Sequence, residues 1–233
     1  MIVEPKILNN ICITAHPLGC KKEVENQINY VKSQPKIKSN VKNALILGAS
    51  GGYGLASRIA IAYGLGAKTI GVSFEKPATE RRTATPGWYN NEAFSEFAKK
   101  DGIEEKTLIL DAFLNASKEE VIKEAKSFFD GKIDLFIYSL AAPVRMDEKT
   151  GILYRSTLKP IGKTYNGMGI DFMTEELLNV SIEPANEEDI KNSIEENKDE
   201  DNSSNSTKEF VEMSELECIK RQAKETDHMM ALL

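Results

Sequence analysis

Cysteine and histidine are scarce in this chain of 233 residues, and this scarcity argues against two kinds of site. The three cysteines, Cys12, Cys20 and Cys218, are an odd number without paired spacing. We therefore predict neither a disulfide framework nor a zinc site. The two histidines, His16 and His228, are too few for a metal cluster. We interpret His16 as a residue that caps a turn, with a catalytic role as the alternative.

Long apolar runs and an excess of basic residues are also absent from the sequence. No stretch approaches the roughly 20 apolar residues that span a bilayer. The segment from Met1 to Asn10 has no apolar run after a charged start, so we expect no signal peptide. The net charge is −6, and residues 183–209 alone carry ten acids and three bases, a net of −7. The rest of the chain is therefore close to neutral, and no basic face for nucleic acid stands out. We expect a cytoplasmic protein that neither spans a membrane nor binds nucleic acid.

The acidic residues divide the chain into three parts. Residues 1–182 hold enough apolar side chains for a sizeable core, and we predict one dinucleotide-binding domain there. Residues 183–213 are rich in acids, serine and asparagine, so we predict an acidic, disordered linker. Residues 214–233 open with the capping-box spacing of Ser214 and Glu217, which favours a short amphipathic helix.

The stretch from Asn43 to Gly64, NALILGASGGYGLASRIAIAYG, is the most informative part of the sequence. It predicts a buried strand, a glycine loop and a helix from about Tyr53. In a dinucleotide-binding loop the first glycine turns the chain, the second admits a phosphate and the third packs the helix against the sheet. The helix N-terminus then offers free N–H groups and a positive dipole end to a pyrophosphate. A glycine-rich turn between two core elements is the alternative reading.

Three further strands are predicted after this stretch, with helical patterns between them. They span 69–74, 106–110 and 133–138, and the last is continuously apolar, which predicts burial on both faces. Alternating strands and helices predict a doubly wound, parallel α/β sheet of the Rossmann type. Ligands bind at the carboxyl ends of such strands, where the sequence places Glu75, Asp111 and Ser139.

Glu75 lies at the position where a dinucleotide fold places the acceptor for the adenosine ribose. A carboxylate there also repels the 2′-phosphate of NADPH. The cations Lys76, Arg81 and Arg82 follow it and offer the opposite interpretation, a phosphate-binding cluster. A solvated strand end is a third reading. We favour the ribose acceptor because strand, loop and spacing agree.

Several motifs together resemble one family. The chain is similar to the NADH-dependent trans-2-enoyl-CoA/enoyl-[acyl-carrier-protein] reductases, the large single-chain branch related to short-chain dehydrogenases. The matching pieces run in family order over residues 1–190: MIVEPKI, HPLGC, GASGGYGLASRIA, GVSFEKP, GWYN, DAF, YSLAAPVR and LKPIG.

The resemblance implies an activity, a cofactor and a binding site. It implies that NADH reduces the trans-2 double bond of an enoyl thioester, carried by CoA or acyl carrier protein, in fatty acid synthesis. It implies cofactor contacts at the ends of all four strands: Gly48, Ala49, Ser50, Gly51, Gly52, Tyr53, Phe74, Glu75, Asp111, Ala112, Ser139, Leu140 and Ala141.

The catalytic residues of the family do not align with this sequence. In the family a tyrosine hydrogen-bonds the thioester oxygen, and a lysine nearby in sequence holds the nicotinamide ribose. Both lie beyond the point where this chain leaves the family pattern. Eight residues separate Tyr154 from Lys163, as in the family's catalytic pair. However, Tyr154 lies in the stretch that matches the family segment just after strand four, well before the family's catalytic tyrosine, so we identify no catalytic residue. Three hypotheses follow: a reductase that keeps the NADH-binding half, an inactive NAD-binding module, and a truncated, non-functional reading frame.

Overall fold

A four-stranded parallel sheet forms the centre of the protein. The computed structural model describes residues 3–8, 11–140, 143–171 and 174–196. The sheet strands are β3 (Asn43–Leu47), β4 (Lys68–Ser73), β5 (Glu105–Ile109) and β6 (Leu135–Tyr138). Their order is β5-β4-β3-β6 and every pairing is parallel. This confirms the predicted α/β fold, with strand ends displaced by two residues at most.

Helices cover both faces of this sheet. They are α1 (Pro17–Ser33), α2 (Gly52–Ile59), α3 (Pro86–Asp101) and α4 (Asn115–Phe128). A π-helical turn, Ala60–Leu65, prolongs α2. Helices α1, α2 and α3 share one apolar cluster, which includes Ile28, Ile59 and Phe94. Val121 of α4 and Phe129, the residue that follows this helix, pack against alternate residues of β3 and β4. Two opposed helical layers make the sheet doubly wound.

Two sequence expectations about these elements were wrong. Strand β6 is not buried on both faces, because Phe136 is 54% exposed and Tyr138 is 46% exposed. Among the described strands β6 pairs only with β3, so it forms an edge of the sheet. The capping-box spacing of Ser117 and Glu120 predicts a helix that starts after Ser117, yet α4 begins at Asn115 and Ser117 is buried inside its first turn.

Smaller elements precede and follow the sheet. The first is a short hairpin of β1 (Ile7–Leu8) and β2 (Ile11–Cys12). His16 is the N-cap of α1, where its Nδ1 accepts a hydrogen bond from the Gly19 N–H at 3.1 Å. This confirms the capping interpretation of His16. Burial raises the pKa of the Cys20 thiol in the first turn of the same helix.

The described residues after β6 form two hairpins and a helix. These elements are β7 (Val144–Met146) with β8 (Leu153–Arg155), β9 (Tyr165–Ile170) with β10 (Leu177–Ile182), and α5 (Glu187–Glu196).

Helix α5 corrects the first part of the predicted disordered linker. Its first turn holds three acids, Glu187, Glu188 and Asp189, which a helix N-terminus favours. Asn186 and Asp189 also cap it reciprocally through side chain to backbone bonds of 2.8 and 3.1 Å. The remainder of the linker and the helix predicted over 214–233 lie outside the described residues.

Candidate functional site

The carboxyl ends of the four strands are tied together at one edge of the sheet. The Gly48 and Ala49 N–H groups both donate to the Val72 carbonyl at the end of β4, at 2.8 and 3.0 Å. Similar bonds join the residues after β5 and β6 to their neighbours, with Leu110 donating to Ser73 and Ser139 to Leu47, both at 2.9 Å. All the predicted strand-end residues that the structure describes therefore lie along this edge.

Two glycines let three pieces of backbone pass one another without side chains between them. Gly48 has φ of +83°, and a Cβ added to it would lie 2.0 Å from the Ser139 carbonyl oxygen. A Cβ on Gly54 would lie 2.0 Å from the Gly48 carbonyl oxygen. Both distances are far shorter than any real contact, so only glycine fits. Gly48 thus brings the loop against the residue after β6, and Gly54 brings α2 against the loop.

The rest of the loop leaves room for a ligand. A Cβ on Gly51 or Gly52 would meet no protein atom within 4 Å. Gly51 is the N-cap of α2 and provides no side-chain cap, so the first N–H groups of the helix have no intrahelical acceptor. Free N–H groups at a helix N-terminus bind anions such as a pyrophosphate. The residues present therefore fit the phosphates of a dinucleotide.

Arg58 anchors the helix that presents these N–H groups. It is fully buried, and its Nη2 donates to Glu105 Oε2 at 2.5 Å and to the Lys106 carbonyl at 2.9 Å. Its guanidinium also stacks on the Phe94 ring, 4.3 Å from the centroid. Gly71 makes room for it, since a Cβ there would approach the guanidinium to 2.5 Å. Burial lowers the pKa of Arg58 to about 10, and the Glu105 carboxylate opposes that shift.

Glu75, the predicted ribose acceptor, is half-buried beside the glycine loop. Its Oε1 accepts a hydrogen bond from Ser50 Oγ at 2.5 Å, and its Oε2 accepts one from Thr85 Oγ1. The carboxylate is therefore held between the loop and the N-terminus of α3. Each carboxylate oxygen keeps a further lone pair for another donor.

The other predicted residues flank the same edge. Asp111 is half-buried, and its Oδ1 accepts a hydrogen bond from the Phe113 N–H at 3.0 Å. Leu140 has its Cδ2 3.3 Å from the position of a Cβ on Gly48. Tyr53 and Phe74 expose 88% and 64% of their surface, so two aromatic rings border the loop on its solvent side. Ala112 is half-buried after β5, whereas Ala141 lies outside the described residues.

Tyr154 and Lys163 do not meet in the described contacts. Tyr154 is half-buried on β8, opposite Arg145 of β7. Lys163 is exposed in the bend that precedes β9. No hydrogen bond joins the two side chains among the contacts of the described residues.

The contribution of the segment before and within the first turn of α3 was missed at the sequence level. The polar composition of residues 76–87 predicts a loop without a role in the site, yet Thr85 bonds Glu75 and the Asn90 Nδ2 donates to the Ser50 carbonyl at 2.9 Å. The signal was the GWYN motif together with Thr85-Pro86, since threonine followed by proline is typical of a helix start.

We call the close-packed pair Gly48 and Gly54 the glycine wedge. A parallel sheet of this order, with the glycine wedge and an open helix N-terminus at its carboxyl edge, defines a dinucleotide-binding protein of the Rossmann class. The family model described as the NAD(P)H binding domain of trans-2-enoyl-CoA reductase matches residues 2–80. The model of the trans-2-enoyl-CoA reductase catalytic region matches residues 82–204. The chain belongs to the trans-2-enoyl-CoA reductase family.

Curated relatives carry two related names. The trans-2-enoyl-CoA reductase [NADH] of Brachyspira hyodysenteriae is 86% identical over 195 residues, which are 83% of this chain and 50% of that protein. The enoyl-[acyl-carrier-protein] reductase [NADH] of Flavobacterium johnsoniae is 51% identical over 194 residues, 83% of this chain and 48% of that protein. The chain thus spans about half the length of these relatives.

Solved structures agree with the fold. Trans-2-enoyl-CoA reductase from Clostridium acetobutulicum, in complex with NADH, matches with a TM-score of 0.79 and 47% identity over 84% of this chain and 49% of that chain. The Treponema denticola enzyme in complex with NAD matches with a TM-score of 0.75 and 52% identity, over 84% of this chain and 50% of that chain.

Proposed function

We propose that this chain binds NADH and forms the cofactor-binding half of a reductase that acts on trans-2-enoyl thioesters. The observation that carries the proposal is the glycine wedge, in which Gly48 and Gly54 close-pack backbone and leave the N-terminus of α2 open. Relatives named for NADH-dependent reduction of enoyl-CoA or enoyl-acyl-carrier-protein support it. The place of this reaction in fatty acid synthesis belongs to the same proposal.

Residues at the strand ends would hold the cofactor. The loop from Gly48 to Tyr53 would bind the pyrophosphate, and Glu75 would accept hydrogen bonds from the adenosine ribose. Phe74, Asp111, Ala112 and the segment from Ser139 to Ala141 complete the proposed contacts. NADH, when bound, supplies the hydride that reduces the double bond.

NADH rather than NADPH is the proposed cofactor because of Glu75. A carboxylate near the ribose gains a hydrogen bond from a 2′-hydroxyl and repels a 2′-phosphate, together about 2–4 kcal/mol. Titration of the purified chain with each cofactor, followed by fluorescence, tests this. We expect NADH to bind more tightly by at least about tenfold. Equal affinities, or tighter NADPH binding through Arg81 or Arg82, would contradict the assignment of Glu75.

A second candidate is cofactor binding without reduction by this chain alone. The observation behind it is that Tyr154 and Lys163 share no contact in the described structure, so no catalytic pair with the family separation is identified. An oxyanion that lacks one positioned donor reacts about 10²- to 10³-fold more slowly. The assay is NADH oxidation with crotonyl-CoA, run for wild type and Tyr154→Phe. Brisk turnover that Tyr154→Phe abolishes would contradict this candidate and place catalysis at Tyr154.

A further inference from the structure

Thr85 occupies the N-cap position of α3 but does not cap the helix. Threonine at an N-cap normally accepts a hydrogen bond from an N–H of the first turn. Here no such side-chain bond forms. The Thr85 hydroxyl instead accepts from the Lys76 N–H at 3.1 Å and donates to Glu75 Oε2. The helix loses its side-chain cap, and the hydroxyl is committed to the carboxylate at the end of β4.

Gly87 leaves the space that this arrangement needs. A Cβ on Gly87 would lie 2.1 Å from Glu75 Oε1 and 2.8 Å from Ser50 Cβ. The carboxylate therefore rests directly on the first turn of α3, where any other residue would displace it. The first two residues of the GWYN motif thus differ in their environment. Gly87 is buried against the Glu75 carboxylate, whereas Trp88 is half-buried.

The same turn of α3 also fixes the other partner of Glu75. Asn90 donates from Nδ2 to the Ser50 carbonyl at 2.9 Å, and Ser50 Oγ donates to Glu75 Oε1. Ser50 is almost fully buried, at 9% exposure. Both carboxylate oxygens are consequently held by hydroxyl groups whose own positions depend on α3. Rotation of the Glu75 side chain away from the loop would break both bonds.

We propose that Thr85 is a positioning residue for cofactor specificity: with Ser50 and Gly87 it fixes the Glu75 carboxylate beside the glycine loop, and so favours a ribose with a free 2′-hydroxyl over one with a 2′-phosphate. This inference rests on the proposed NADH function. A carboxylate free to swing into solvent would be screened and could turn away from a phosphate. A carboxylate held in place cannot, so discrimination depends on the residues that hold it.

The test compares NADH and NADPH dissociation constants for the full chain with Thr85→Val, which keeps the shape and removes the hydroxyl. We expect the ratio of the NADPH to the NADH dissociation constant to fall by about 3- to 10-fold, because one hydrogen bond to a charged group has an effect at least this large. Thr85→Ser, which keeps the hydroxyl, should restore the ratio. Thr79→Val is the matched control, because Thr79 is an exposed threonine of the same loop whose hydroxyl accepts from the Arg81 N–H, whereas the hydroxyl partners of Glu75 are Ser50 and Thr85.

A double-variant cycle separates positioning from helix stability. In a Glu75→Ala background, Thr85→Val should leave the cofactor ratio unchanged, because Thr85 then has no carboxylate to hold. If Thr85 served only the stability of α3, Thr85→Val would weaken the binding of both cofactors equally. The ratio of their dissociation constants would then stay at the wild-type value. That result, with NADH binding intact, overturns the positioning role alone. Failure of the wild-type chain to bind NADH overturns the proposed function and this inference together.

Discussion

At the scale of single residues, the glycines of the loop have two different environments. Gly48 and Gly54 lie against backbone carbonyl groups, whereas Gly51 and Gly52 lie in open space. The sequence pattern identified the loop, because a glycine series between a buried strand and an amphipathic helix is typical of a phosphate-binding turn. It could not show that Gly48 faces Ser139, since that contact joins residues 91 positions apart and exists only after β6 has paired with β3. The partners of Glu75 were missed for the same reason.

Replacement of Gly48 by alanine should abolish NADH binding and destabilise the fold. The new Cβ would combine a positive φ with a clash against the Ser139 carbonyl, at a cost of about 3 kcal/mol or more. Gly102→Ala is the matched control, because Gly102 has a similar φ of +69° in open space. It should lose about 1–2 kcal/mol and keep NADH affinity. Urea unfolding and NADH titration of both variants decide the matter; equal behaviour of the two would refute the wedge.

Asp134 should make the stability of the sheet depend on pH. Its Oδ1 pairs with Lys132 Nζ at 2.7 Å, and its Oδ2 accepts from the N–H groups of Lys42 and Asn43 at 2.9 and 3.1 Å. These bonds, the one from Lys132 first, lower the pKa of the Asp134 carboxyl in the folded state. A lowered pKa stabilises the fold above the unfolded value of about 3.9, and this contribution is lost as the pH falls through the folded value.

The corresponding variant is Asp134→Asn. Its melting temperature should lie below that of wild type near neutral pH, and the difference should shrink once the pH falls below about 4. Asp130→Asn, at an exposed acid on the same connection, serves as the control. A difference that stays constant from neutral to acid pH would exclude the carboxylate as its source.

At the scale of elements, the strands and helices with a clear apolar pattern were predicted well. Apolar patterns predict a strand over 44–47 and a helix over 88–100, and β3 and α3 match these bounds to within two residues because burial dictates the patterns. The burial of β6 was predicted wrongly, because a continuous apolar run does not say how many neighbours a strand has. The start of α4 was also missed, as Leu114 is an N-cap without a capping side chain.

Removal of one partner from the buried ion pair between α2 and β5 should destabilise the fold far more than breaking the neighbouring surface pair of Lys68 and Glu104. Arg58 is fully buried and the Glu105 side chain is 14% exposed. Glu105→Ala would leave a buried cation unpaired, which costs about 3–5 kcal/mol. Glu104→Ala breaks the exposed pair with Lys68 and should cost much less. Urea unfolding measures both, and similar losses would show that Arg58 finds another partner.

The hairpin of β9 and β10 should open more readily than the central sheet. Its six register pairs join only two strands, and Met168 and Leu177 remain 66% and 68% exposed. Two-stranded hairpins without a buried face are marginally stable in water. Hydrogen exchange followed by mass spectrometry should therefore show rapid exchange over 165–182 and slow exchange over β3 and β4. Equal protection of the two regions would mean that the hairpin has a stabilising cover.

At the scale of the whole molecule, the fold class was predictable because helices α1 to α4 alternate along the chain with strands β3 to β6. The family was recognisable because its motifs are more specific than a general dinucleotide loop. Catalysis was not predictable at this scale, since the chain spans about half the length of its relatives. None of the described helices is long and apolar enough to cross a membrane.

NADH should stabilise the folded domain by an amount that grows with the logarithm of the NADH concentration above its dissociation constant. A ligand that binds only the native state adds about 2.7 kcal/mol at 100 times its dissociation constant. The melting temperature of the chain should therefore rise with NADH concentration. The Gly48→Ala variant should show no such rise, which controls for effects of NADH on the solution. A wild-type melting temperature that ignores NADH would contradict cofactor binding.

The empty space around Gly51 has a consequence for how this loop tolerates change. If every codon of the loop were randomised and the library selected for folding alone, Gly48 and Gly54 would be retained because backbone atoms of the protein exclude a Cβ there. Gly51 would drift, since its φ of −159° suits other residues and no protein atom lies near an added Cβ. If the proposed pyrophosphate site is correct, a second selection for NADH retention should restore glycine at that position, because residue 51 adjoins the N–H groups proposed to bind the phosphates. On that proposal the ligand accounts for the glycine at residue 51, whereas the packing of the fold accounts for those at residues 48 and 54.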